Sequence, residues 1–75
     1  MGKEVRVQEL MGVGTRYDIG CGGGRQHVSV IVHKDGHREL YAFEGPGDEP
    51  TAVMSLSEEQ ARALGAVLTG TYFGD

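Results

Sequence analysis

The strongest constraint on this chain is the stretch at residues 27–43, His-Val-Ser-Val-Ile-Val-His-Lys-Asp-Gly-His-Arg-Glu-Leu-Tyr-Ala-Phe. Two runs rich in β-branched and aromatic residues flank Lys34-Asp35-Gly36. Asp-Gly between apolar runs is a strong hairpin signal, because glycine accepts the positive φ that a tight turn demands. Val28, Val30 and Val32 alternate with other residues, so one face of the first strand is apolar and is expected to face a core. The turn has two admissible lengths. A three-residue loop with Gly36 left-handed sets His33 opposite His37, whereas a two-residue Asp35-Gly36 turn pairs His33 with Arg38.

The remaining segments read as further strands and one helix. Residues 4–10 alternate, with Val5 and Val7 on one side and Arg6 and Gln8 on the other, which predicts a first strand. Gly12 and Gly14 break that pattern as a turn or bulge. Thr15, Tyr17 and Ile19 alternate with Arg16 and Asp18 in a second half-buried strand, and the glycine-rich residues 20–24 form a flexible loop back to the hairpin. The acidic Pro/Gly segment 44–50 suits neither a helix nor a central strand. Residues 51–55 form a short fifth strand, with Ala52, Met54 and Leu56 sharing a face. Ser57 and Gln60 then make a capping box, with Glu58 and Glu59 at the positive end of the helix dipole. Ala61, Leu64 and Leu68 form an apolar stripe suited to packing on a sheet, and Gly70 stops the helix. The predicted fold is α+β and β-rich: a five-stranded antiparallel twisted sheet or small partly open barrel, followed by one C-terminal helix closing an end or face.

At 75 residues the chain is one small domain, read as residues 1–70 with a tail at 71–75. A chain of this length buries only roughly 60% of the surface its unfolded form exposes, so a partner subunit, neighbouring domain or metal is a usual support. The single Cys21 excludes an intramolecular disulfide and fits a reducing cytoplasm. Net charge is −4 with no basic run, which argues against nucleic acid and against an anionic membrane surface. The N-terminus lacks the apolar region of a secretory signal, and the longest apolar run, Val30-Ile31-Val32, is far too short to cross a bilayer.

Candidate chemistry is sparse. The glycines at 12–14 and 22–24 lead into strands, whereas a phosphate cradle must open a helix. Glu58 and Glu59 are explained by the helix dipole, and Asp48 and Glu49 by loop solubility. No Ser-His-Asp or Cys-His pattern has support, so no catalytic residue, cofactor or metal site is assigned and an enzyme is not expected. His27 precedes its strand and is expected to be exposed. His33 and His37, if opposed, are candidate pH-sensing residues; a metal there needs a third ligand, and only Asp35 or Glu39 is near enough in the chain. Tyr41, Phe43, Tyr72 and Phe73 hold most of the aromatic content and are candidate interface residues, although alternation also aims Tyr41 and Phe43 together at one face as core.

Three stretches carry a family resemblance: Glu-Leu-Met-Gly-Val-Gly-Thr-Arg-Tyr-Asp-Ile at 9–19, Val-Ile-Val-His-Lys-Asp-Gly-His-Arg-Glu-Leu-Tyr-Ala-Phe at 30–43, and Asp48-Glu49-Pro50 through Leu-Ser-Glu-Glu-Gln-Ala-Arg-Ala-Leu-Gly at 56–65. In that order they resemble the N-terminal domain of KhtT-like regulatory subunits of bacterial potassium/proton antiporters, the family with a TrkA-type C-terminal domain. The glycines at 22–24 and Gly45-Pro46-Gly47 depart from the expected pattern. The resemblance implies a non-enzymatic cytoplasmic regulator, peripherally associated with a membrane antiporter subunit and joined to a TrkA-type sensor domain, with a homodimer expected. The tail at 71–75 would then begin the linker to that absent domain, and no nucleotide-binding residue carries over. A structural dimerisation module without transporter contact is the alternative.

Overall fold

Turn chemistry and two-residue alternation together produce an antiparallel meander. The computed structural model describes residues 5–20, 26–45, 47 and 49–72. Its elements are β1 (Val5–Leu10), β2 (Gly14–Gly20), β3 (His27–His33), β4 (Arg38–Phe43), β5 (Ala52–Leu56) and α1 (Glu58–Thr69). The five strands lie in the order β1-β2-β3-β4-β5, so the sheet is open, with β1 and β5 as its edges. The antiparallel sheet and C-terminal helix match the expected α+β class; the barrel alternative falls away. The glycine loop at 21–25, Phe73 and most of the 71–75 tail lie outside the described residues.

Each connection has a local cause. Between β1 and β2, Gly12 takes φ 79° and Val13 N–H donates to Leu10 O at 2.9 Å. Gly14 is required by space: a Cβ there would stand 2.0 Å from the Val32 carbonyl oxygen. Between β3 and β4 the loop is the three-residue one. His33 N–H donates to His37 O, Gly36 N–H donates to His33 O, both at 2.9 Å, and Gly36 has φ 104°. His33 and His37 therefore stand opposite each other, as in the first of the two registers the sequence allows.

The registers carry two apolar rows across the whole sheet. Val7, Tyr17, Val30, Leu40 and Met54 are successive cross-strand neighbours, and so are Val5, Ile19, Val28, Ala42 and Ala52. The opposite face carries Arg6, Asp18, Ser29, Tyr41 and Val53 in one row, and Gln8, Arg16, Ile31, Glu39 and Ser55 in the next. Most of this second face is polar, yet it holds the most buried side chains. Ser29 is 1% exposed and Phe43 9% exposed.

The valine face differs from expectation. Val28, Val30 and Val32 are only half-buried, and Val5, Val7 and Met54 on the same face are 50%, 59% and 52% exposed. The predicted helix is present, with both halves of the Ser57/Gln60 capping box and Gly70 left-handed at the C-cap. It does not cover the sheet, however. Among the described residues the main packing of α1 is against β5, and Leu68 of its apolar stripe is 75% exposed. Ser57 alone joins β5 to α1, and β5 is an edge strand, so the helix sits beside the sheet's edge.

Candidate functional site

Two polar groups are built on the Ser29 face, one at the β3–β4 tip and one at the sheet centre. At the tip, the three-residue loop brings the His33 and His37 rings into a stack, with centroids 4.0 Å apart and planes within 9°. Each ring has its own carboxylate. His33 Nε2 lies 3.0 Å from Glu39 Oε1, and His37 Nδ1 lies 2.6 Å from Asp35 Oδ1. Asp35 Oδ1 also accepts the His37 backbone N–H at 3.0 Å, an Asx-type contact that holds the loop closed. Tyr41 donates its hydroxyl to Glu39 Oε1 at 3.1 Å.

These contacts set the charge states. The backbone N–H of His37, followed by its ring, holds the Asp35 carboxyl below its ordinary value. The His33 hydrogen bond, then that of Tyr41, does the same for Glu39, and Glu39 in turn raises the Tyr41 phenol. Both carboxylates are thus acceptors only, so the facing ring nitrogens donate. The two neighbours that the sequence offers as possible third groups, Asp35 and Glu39, are both engaged, each by a different histidine.

At the sheet centre, Arg16 Nε donates to Asp18 Oδ1 at 3.0 Å, and the Ser29 hydroxyl donates to the same oxygen. Burial pushes the Asp18 carboxyl up, but the Ser29 and Arg16 hydrogen bonds outweigh it and leave the pKa lowered. Beside this network is a concavity of about 410 Å³ lined by Arg16, His27, Ser29, Ile31, Tyr41 and Phe43 among others. His27 is half-buried rather than exposed, because its ring stacks on Phe43 at 4.3 Å with planes within 6°.

Of the candidate interface residues, Tyr41 is half-buried and Phe43 is packed within the chain, shielded by His27. Tyr72 is 55% exposed beyond the helix cap, and Phe73 lies outside the described residues. Sequence reasoning did not single out Arg16, Asp18 or Ser29 as a group. A signal for the first two was present: on a strand whose apolar face is Thr15, Tyr17 and Ile19, residues 16 and 18 must share the other face. Ser29 joins them only through the β2–β3 register, which pairs it with Asp18.

The model of the family described as "K(+)/H(+) antiporter subunit KhtT, N-terminal domain" matches residues 3–72. The chain belongs to this family. It is 37% identical over 67 residues to the uncharacterised protein YrvC of Bacillus subtilis strain 168, covering 88% of this chain and 40% of that protein. It is 30% identical over 70 residues to the K(+)/H(+) antiporter subunit KhtT of the same organism, covering 92% of this chain and 42% of that subunit. The chain thus spans about two fifths of the length of the curated relatives it matches. No helix among its described residues is long and apolar enough to cross a membrane.

Proposed function

We propose that this chain is a non-enzymatic regulatory module of a potassium/proton antiporter system, coupling a sensor domain to the cytoplasmic face of the transporter. The observation that carries the reading is the family match over residues 3–72. The open sheet supports it physically. Two apolar rows cross five strands, and their outer members Val5, Val7 and Met54 are half or more exposed. An uncovered apolar face of that kind marks a surface that another domain or subunit covers. A TrkA-type sensor domain and the membrane antiporter subunit are the two partners proposed. The test is retention of a K+/H+ antiporter, in detergent, on the immobilised 75-residue chain. Retention that is lost on Val7→Lys supports the reading, and no retention at any salt concentration overturns it.

A second reading, a dimerisation module without transporter contact, is favoured by the free edges of β1 and β5. Sedimentation over a range of concentrations separates the two. A tight dimer that does not retain the antiporter supports the second reading.

A further inference from the structure

We propose that the tip of the β3–β4 hairpin is a binding site for a divalent transition-metal ion of the zinc type, with His33, His37 and Glu39 as ligands. One ligand atom from each of these three residues lies within 4.8 Å of the others. Two imidazoles and one carboxylate form a recurrent donor set for zinc in which water completes a four-coordinate site. Two nitrogen ligands with a single carboxylate favour zinc, nickel and copper over magnesium or calcium, which require mostly oxygen.

The backbone prepares the site without the ion. The three-residue loop fixes His33 opposite His37, and alternation along β4 places Glu39 on the same face two residues on. Asp35 supplies the outer-sphere contact. Its carboxylate binds His37 Nδ1 at 2.6 Å, which orients the ring and leaves Nε2 as the nitrogen for the ion. Tyr41 plays the matching part for Glu39, donating to Oε1 at 3.1 Å. The side chains of His33, Glu39 and His37 are 21%, 29% and 41% exposed, so the ion reaches them directly from solvent.

Ligand–ligand separations around tetrahedral zinc are roughly 3.3 Å, given metal–ligand bonds of about 2.0–2.1 Å. Closing the cluster to that spacing turns the stacked rings about their side-chain torsions and leaves the strand register in place. An ion inserted between His33 Nε2 and Glu39 Oε1 takes the place of the proton that joins them; that proton moves to Nδ1 as the ring changes tautomer, so the ring stays neutral.

The test is calorimetric titration of the chelator-treated 75-residue chain with zinc chloride, nickel chloride and magnesium chloride, alongside the histidine Cε1–H NMR signals. The expected result is one zinc or nickel per chain, shifts at His33 and His37, and no heat from magnesium. His33→Ala and Glu39→Gln each weaken zinc binding at least tenfold. His37→Gln does the same while keeping a side-chain amide to donate to Asp35, which separates ligation from packing. Asp35→Asn weakens binding about 10- to 100-fold through the outer sphere. Cys21→Ser leaves it unchanged. Absence of zinc-dependent heat, equal affinity in the His33→Ala/His37→Gln double variant, or loss of binding in Cys21→Ser would each overturn the proposal.

Discussion

Gly14 marks the tightest site among the described glycines, where any side chain would drive a Cβ to 2.0 Å from the Val32 carbonyl and 2.9 Å from the His33 Cα. Backbone atoms in a ladder cannot rotate away as a flexible side chain does. Gly14→Ala is therefore expected to cost more than about 2 kcal/mol, seen as a lower midpoint in urea unfolding. A wild-type midpoint would show that the β2–β3 ladder yields there. Asp18 carries a different kind of constraint. Its lowered pKa means that its stabilising contribution is present above the ordinary carboxylate value of 3.8 and is lost as pH falls through the folded-state value. Asp18→Asn is expected to melt lower than wild type at pH 7 and to show a flatter loss of stability below about pH 4. Parallel acid limbs in thermal melts would count against this assignment.

The elements differ in how much they depend on the rest of the molecule. The β3–β4 hairpin is held by its own loop chemistry and is flanked by β2 and β5, so its amides should exchange slowest. Helix α1 has no buried residue and packs mainly on β5, and its N-terminus relies on the reciprocal bonds of Ser57 and Gln60 at 3.0 and 2.9 Å. Ser57→Ala should cost about 1 kcal/mol. Because little tertiary contact ties α1 to the sheet, that loss should appear as faster amide exchange across residues 58–69, with the β2–β4 amides unchanged. Equal acceleration in the strands would mean that helix and sheet unfold as one unit.

At the level of the whole molecule, the domain has two unlike faces. The polar face is organised around named contacts, while the apolar face is a continuous surface that the described residues leave partly uncovered. The isolated folded domain is therefore expected to bind an apolar fluorescent dye below its unfolding transition. Met54→Lys, at a 52% exposed edge position, should reduce that signal with a change in stability within about 0.5 kcal/mol. Dye binding unchanged by Met54→Lys would place the apolar surface elsewhere.

Features written in adjacent residues are legible in the sequence by itself: the Asp35-Gly36 turn, the alternation of the strands, the Ser57/Gln60 box and the Gly70 stop. Each depends on torsion angles and hydrogen bonds that span at most four residues. The length of the hairpin loop is not legible there, since both registers satisfy the local rules. Hydrogen bonds from His33 to His37 and from Gly36 to His33 decide it, and with it the pairing of the histidines. The joining of Ser29 to Asp18, the stacking of His27 on Phe43 and the exposure of the Leu68 stripe are of the same kind. A pattern along the chain says which side chains share a face of one strand. Only the pairing of strands says which face of the sheet that becomes, and only the placement of α1 beside β5 shows that the helix leaves much of the valine face exposed.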